Sequence, residues 1–432
     1  MSAAKIETGP VTGAKPAFAF FRQSGWLMIA TVVGGLLMLA VHTIAQRMPK
    51  AEYGVFTTLI QIVTLMGIPA AGLQSIFAQQ AAESMNPGHE RELSSVCRGV
   101  LRGIFFIWLS MAAGVFVFHN QILAALKISN PVALWLTVLV GLVALWRPVL
   151  QGILQGRQNF PWLGGIMISE GAGRFGAVCV VVGLLGCYAA GAMLAVLLGM
   201  VAVMAVGGWL CRDCLRGEKL PMRWGPWLRR VVPLTLGMGV GIFMLAADML
   251  FVQWFFPKEQ TGYYAAAGMI GRALVYFTTP VAAVMFPKLA RSKALGEKTN
   301  ALALALGLTA LAGAGAAVMC SLFPALPLQV ARYSASYLEI SAPLVPWFAW
   351  CMLPLTLAMV LLNSLMARSQ FRAVPWLVLV AAGYGVTLYL RHETFIQVIQ
   401  TLGCFAVLLL AVCVWFTYHG QPVESEITPP GA

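Results

Sequence analysis

The sequence predicts an all-α integral membrane protein, with about twelve transmembrane helices in two pseudo-symmetric six-helix lobes around a central cavity. Three observations predict it. The chain is too apolar for water, with hydrophobic residues at 60% of its 432 positions and charged residues at 10%, against about 25% charged in a soluble domain. Its apolar residues fall into long runs. Its two halves repeat short motifs at a nearly constant offset.

The runs lie at roughly 24–45, 55–79, 100–119, 131–154, 161–186, 189–210, 231–255, 263–285, 300–322, 339–365, 373–390 and 395–418. Each is about 20 residues, enough to cross a hydrocarbon layer of about 30 Å as a helix that satisfies its own backbone. The first run is longer than the apolar stretch of a secretory signal and lacks a clear cleavage site, so it reads as an uncleaved helix. Pro69, Pro148, Pro280 and Pro354 fall inside or at the ends of runs and predict kinks. Gly164-Gly165 in the fifth run and the glycines of Gly237–Gly241 in the seventh predict close helix packing. The longest connection, about 210–230, is basic, contains Pro221 and Pro226 and lies mid-chain. The predicted organisation is therefore an N-terminal tail 1–22, an N-lobe 23–211, a linker 212–230, a C-lobe 231–419 and a C-terminal tail 420–432.

The repeat is visible in the letters. Met48-Pro49-Lys50 precedes Gly54, and Phe256-Pro257-Lys258 precedes Gly262, an offset of 208. Leu154, Arg157 and Phe160 recur as Leu365, Arg368 and Phe371, an offset of 211. Six spans per half is an even number, so the repeats enter the membrane with one orientation and predict a pseudo-two-fold axis along its normal.

Basic residues choose the side. The N-terminal tail and the even-numbered loops hold 19 of the 28 lysines and arginines, including Arg91, Arg98, Arg102, Arg157 and Arg212, while the odd loops hold six: Arg47, Lys50, Lys127, Lys258, Arg332 and Arg391. By the positive-inside rule both termini are expected in the cytoplasm. The net charge of +13 then reflects topology and attraction to anionic headgroups. No nucleic-acid partner is expected, because the basic residues sit in short loops between spans.

Charges inside a bilayer are costly and mark function by default. Five qualify: Arg147, Glu170, Arg174, Asp248 and Arg272. Glu170 and Arg174 are four apart on one helical face, so they form either a structural ion pair or a pair that opens for substrate or protons. Asp248 either binds a proton or cation or counters Arg272. Arg147 and Arg272 have no acid within a helical turn, which predicts unpaired guanidinium groups facing water or an anionic ligand. Arg147, Arg174 and Arg272 are thus expected to line one aqueous cavity, with Glu170 and Asp248 as ion-coupling or counter-ion groups.

Nine cysteines are scattered, most within spans; Cys211 and Cys214 form a CxxC with no second pair, which points to structural thiols and no metal site. The five histidines lie near span ends or in loops, and no HExxH, Walker or GxSxG pattern of quality occurs. No odd-numbered loop is large enough for the catalytic insert of a membrane-embedded glycan-processing enzyme. A transporter without a resident cofactor is expected, with H+ or Na+ coupling left open.

At this point the chain resembles the polysaccharide-biosynthesis branch of the multidrug/oligosaccharidyl-lipid/polysaccharide (MOP) exporter superfamily, which includes O-antigen flippases. The resemblance rests on Glu52-Tyr53-Gly54, Leu154-Gln155-Gly156 with Phe160, Glu170 and Arg174, then Asp248, Gly262-Tyr263-Tyr264-Ala265-Ala266-Ala267, and Phe286-Pro287-Lys288-Leu289-Ala290. It implies two lobes that rock around a hydrophilic cavity and carry undecaprenyl-diphosphate-linked sugars across the bacterial inner membrane, with membrane lipids and other polysaccharide-assembly membrane proteins as partners. Arginine suits a diphosphate, which guanidinium groups hold by charge-assisted bonds. Some relatives carry fourteen helices, with an extra pair for the lipid tail; this chain has about twelve. The alternatives are a multidrug antiporter of the same superfamily, whose cavity should favour acids and aromatics, and a lipid II flippase, whose first span often carries basic residues that this chain lacks between Arg22 and Arg47.

Overall fold

The computed structural model describes residues 16–83, 87–216, 224–275 and 301–419. It is built from helices alone among these residues. The first half contains α1 (Pro16–Ala45), α2 (Lys50–Met66), α3 (Leu73–Glu83), α4 (Pro87–Val117), α5 (His119–Ala125), α6 (Pro131–Gly156), α7 (Phe160–Val178), α8 (Ala189–Leu210) and α9 (Arg212–Arg216). The second contains α10 (Trp224–Phe255), α11 (258–275), α12 (Ala301–Leu322), α13 (Leu326–Val330), α14 (Ala335–Ser341), α15 (Val345–Ala367), α16 (Val374–Leu390) and α17 (Phe395–His419).

Eleven segments among the described residues are long and apolar enough to span a membrane. The eighth expected span, 263–285, begins in α11 and continues outside the described residues. Pro280, residues 217–223 of the central linker, residues 1–15 of the N-terminal tail, the C-terminal tail and the Phe286–Ala290 motif also lie outside the described residues, while the rest of the linker belongs to α9 and the start of α10. The second span differs from expectation: it is not one helix. Pro69 cannot donate to a helical ladder, so α2 stops at Met66 and a 3-10 turn at Ile68–Ala70 redirects the chain into α3. Local chemistry sets other ends: Asn130 caps α6 by accepting from the Val132 amide at 3.0 Å, with Pro131 in the first turn.

The two halves repeat in packing as in sequence. In the first half α1 packs along α7, α6 along α8, and α4 against α6; in the second, α10 packs along α16, α15 along α17, and α12 against α15. The α6 and α15 helices form the hearts of their lobes, with Leu145, Val149 and Ile153 fully buried on one and Phe348, Met352 and Leu355 on the other.

Backbone strain follows the same symmetry. Among the described residues, the non-glycine ones with left-handed backbone are Lys127 (φ 53°), Gln158 (φ 55°), Arg332 (φ 60°) and Ser369 (φ 56°). Gln158 and Ser369 stand 211 apart, the offset of the Leu154/Leu365 motif, and Lys127 and Arg332 stand 205 apart. Each ends a helix in a Schellman motif, in which the next amide reaches back to the carbonyl five residues earlier: Asn159 to Leu154, Gln370 to Leu365, Ile128 to Leu123 and Tyr333 to Leu328. Equivalent helices therefore end by the same device in both lobes, at a cost of about 1–2 kcal/mol for each left-handed residue.

Candidate functional site

Among the described residues, each lobe holds one buried ionic cluster. In the N-lobe, α6 carries Arg147 and α7 carries Glu170 and Arg174. Both guanidinium groups converge on a single carboxylate oxygen: Arg147 Nη1 lies 2.5 Å and Arg174 Nη2 2.6 Å from Glu170 Oε1. Glu170 is sealed, with its side chain 6% exposed, while Arg147 keeps 32% of its side chain accessible. The stem of Arg174 fits because α8 offers Gly199, where a Cβ would come within 2.8 Å of Arg174 Cγ. Two guanidinium groups share one carboxylate, so these three side chains sum to a charge of +1. The Arg147 Nε is buried and has no hydrogen-bond acceptor.

The C-lobe cluster is deeply buried, and its one acid and one arginine balance in charge. Asp248 of α10 is fully buried, and both of its carboxylate oxygens lie 2.6 Å from Arg272 Nη2 of α11. The Tyr264 hydroxyl donates to Asp248 Oδ2 at 2.8 Å, and Arg272 Nε donates to the Leu245 carbonyl at 2.9 Å. A charge buried in this way is tolerated because it is paired and hydrogen-bonded at once.

These contacts correct one expectation. Arg147 and Arg272 are not unpaired: each meets an acid on the neighbouring helix, 23 and 24 residues away in sequence. A search within one helical turn sees only partners on the same helix. The structure brings Arg147, Glu170 and Arg174 together and places Arg272 with Asp248 in the other lobe. The sequence reading missed Tyr264, which completes the C-lobe cluster.

At the end of the molecule away from the α1 N-terminus, the lobes close on each other, and the repeated motif does the closing. Gly54 and Gly262, equivalent by the 208 offset, face each other where α2 crosses α11; a Cβ on Gly54 would come within 3.0 Å of the Gly262 amide nitrogen. The motif lysines reach across. Lys50 donates to the Tyr263 hydroxyl and stands 4.7 Å over that ring, and Lys258 lies 3.7 Å from the Glu52 carboxylate. The Tyr53 and Tyr333 hydroxyls meet at 2.7 Å. Gln46 donates to the Ala331 carbonyl at 2.6 Å, and Gln253 to the Leu126 carbonyl at 2.8 Å. Lys127 caps the end of α10, donating to the carbonyls of Gln253 and Trp254 at 3.0 Å and of Phe256 at 2.5 Å. The repeat offset was the available signal for this closure.

The CxxC pair sits elsewhere, at the junction of α4, α8 and α9. Burial pushes the Cys211 thiol up to about 12 and raises that of Cys214. Ser94 donates to the Cys214 carbonyl at 2.8 Å, and Arg157 Nη2 lies 3.2 Å from its sulfur. Both cysteines are therefore held as neutral packed thiols.

Comparison with known proteins bears on this geometry. Residues 20–293 match a family described as polysaccharide biosynthesis protein. No curated protein matches the sequence. Among solved structures, the chain resembles lipid II flippase MurJ in an inward closed conformation, with TM-score 0.71, 13% identity, and coverage of 90% of this chain and 87% of that one. It also resembles a multidrug resistance MATE family transporter of the MOP superfamily in an inward-facing conformation (TM-score 0.68, 13% identity, 91% of this chain and 98% of that one). A eukaryotic MATE transporter gives TM-score 0.64 at 13% identity, covering 92% of this chain and 96% of that one. At such identities the likeness is one of fold.

Proposed function

Starting from the premise that this chain belongs to the polysaccharide biosynthesis protein family, within the MOP superfamily of transporters and flippases rather than enzymes, we propose that it flips a polyprenyl-diphosphate-linked oligosaccharide across the plasma (inner) membrane by alternating access. The observation that carries this reading is the N-lobe cluster, in which one carboxylate serves two guanidinium groups and leaves a net positive charge with an accessible arginine. Arginine offers a planar, permanently charged fork that matches phosphate oxygens. A diphosphate that displaced Glu170 would find two guanidinium groups already side by side, with the free Nε of Arg147 as a further donor. An organic cation would meet repulsion at the same place, which weighs against the multidrug reading. A lipid II flippase carries the same diphosphate chemistry, so glycan identity lies outside what this site selects.

In this proposal both termini are cytoplasmic and the closed end faces outward. Other polysaccharide-assembly membrane proteins would deliver or receive the glycan. The Asp248–Arg272–Tyr264 cluster supplies the coupling element: a proton or cation at Asp248 would release Arg272, and it drives the change only by binding the two states unequally. The test is a flipping assay in liposomes, using a synthetic polyprenyl-diphosphate oligosaccharide and, in parallel, a fluorescent organic cation. Wild type should flip the lipid, Arg147→Gln should lose at least about tenfold, and Arg147→Lys should recover only part. Gradient-driven transport of the cation with no movement of the lipid would overturn the assignment.

A further inference from the structure

A second arginine cluster faces the lipid instead of the interior. Between α4, α6, α8 and α9, near the end that carries the chain termini, an apolar cleft of about 350 Å³ is lined by Leu101, Phe105, Trp146, Leu150 and Met204, with Arg102 at its edge. That volume is at the lower end of the range for small-molecule sites. Its wall is rigid: Trp146 Nε1 donates to the Leu101 carbonyl at 3.1 Å, and the Phe105 ring stands 5.6 Å from Trp108 and 6.4 Å from Trp146.

Arg102 carries the inference. The fifteen residues that follow it, through Val117 at the far end of α4, are uncharged, a rise of about 22 Å. With a hydrocarbon layer of about 30 Å, its Cα lies roughly 8 Å inside the boundary. It therefore belongs to the membrane and not, as the loop count had it, to the preceding connection. Among the described residues it has no hydrogen-bond or ion-pair partner. An unpartnered guanidinium at this depth, beside lipid, calls for an anion. Further cations stand around the cleft on the same side: Arg98 one turn back on α4, Arg157 against Cys214, and Arg212, whose guanidinium stacks 5.5 Å from the exposed Trp209 ring. The carboxylates nearby are Glu90, Glu92 and Asp213, of which Asp213 lies 4.0 Å from Arg212.

We propose that this cleft binds one anionic phospholipid of the adjacent leaflet, its phosphate on Arg102 and an acyl chain against Phe105, Trp146 and Leu150. The chemistry matches at both ends, since a basic pocket between helices attracts an anionic headgroup and the apolar floor takes the chain. Gly208, on the α8 side, keeps the floor open: a Cβ built there meets nothing within 4 Å. This site is distinct from the Arg147 cluster, because Trp146 and Arg147 are successive residues of α6 and engage different neighbours.

The protein would be reconstituted in nanodiscs of phosphatidylcholine alone or with phosphatidylglycerol, and lipid retained after detergent extraction would be counted by native mass spectrometry. Wild type should retain about one phosphatidylglycerol per chain and melt higher in the mixed discs, since a ligand for the folded state raises its stability. Arg102→Gln and Gly208→Leu, the first removing the charge and the second filling the floor, should each lose both effects while melting like wild type in phosphatidylcholine. Equal stabilisation of Arg102→Gln and wild type by phosphatidylglycerol, or undiminished retention by Gly208→Leu, overturns the proposal. So does an equal rise in melting temperature with inorganic phosphate, which would assign Arg102 to a soluble anion.

Discussion

Replacing Glu170 by Gln isolates what the N-lobe cluster is for. The wild-type carboxylate holds the Arg147 and Arg174 nitrogens 2.5 and 2.6 Å from one oxygen, so the two nitrogens are at most about 5 Å apart. Two unit charges at that separation repel by on the order of 3 kcal/mol at an effective dielectric constant of 20. The attraction of each to Glu170 disappears as well, and breaking a buried pair typically costs about 3–5 kcal/mol. Water reaching Arg147 reduces the repulsion, so a net destabilisation of about 3 kcal/mol is expected. Differential scanning fluorimetry in nanodiscs should then show a clear fall in Tm for Glu170→Gln. A polyprenyl diphosphate should restore it, because the ligand supplies the negative charge that the substitution removed; for wild type the same ligand should give a smaller rise, since it must displace Glu170. An unchanged Tm would refute the electrostatic account. A fall that the diphosphate does not rescue, or that an uncharged polyprenol rescues equally well, would refute the anion-site account.

Other expectations follow from the same structure. If Asp248 couples transport to an ion gradient, Asp248→Asn should flip the lipid-linked substrate at one rate with or without an imposed proton or sodium gradient, whereas wild type should respond; equal responses would leave Asp248 a counter-ion of Arg272. Introduced cysteines at Lys127 and Arg332 should react with an impermeant maleimide from outside intact cells, and those at Ala3, Trp224 and Ser425 should not; external labelling at Trp224 would invert the proposed orientation. Gly54→Val should wedge α2 from α11 and expose a reporter cysteine at Tyr333 to the same reagent, with no gain in labelling contradicting the closure described. Tyr53→Phe removes the hydroxyl pair with Tyr333, worth about 1 kcal/mol, and with the reporter cysteine moved to Ala331, so that Tyr333 stays in place, should increase labelling by roughly fivefold.

The positions of the helices were legible because the bilayer imposes a one-dimensional rule. Any run of about 20 apolar residues must become a helix, whatever its neighbours do. Exceptions were the second run, where Pro69 breaks the helix, and the tenth, divided between α14 and α15 by a 3-10 turn at Ala342–Leu344; in both the composition still reads as continuous. The repeat was legible too, and its Lys50 and Lys258 motifs turned out to meet at the closed end of the molecule. The ionic partners had a fainter signal. In an antiparallel hairpin, residues equidistant from the turn face each other: Arg147 stands eleven before Gln158 and Glu170 twelve after it. A search limited to one helix face passes over such pairs.

The sequence by itself determined the solvent, the helical class, the duplication and the presence of five charges that a membrane would not hold without reason. Only the tertiary structure decided how those charges are shared: two arginines on Glu170, which leaves a surplus positive charge, against one on Asp248 with Tyr264, which leaves none. It also showed Arg102 at the edge of a lipid-side cleft, where the letters had placed it in a loop. The reason is physical. Hydrophobic length is a property of a segment, so it survives in the letters. An ion pair is a property of two helices whose register and rotation are set by packing along their whole length, and at Gly199 and Gly54 by side chains that are not there.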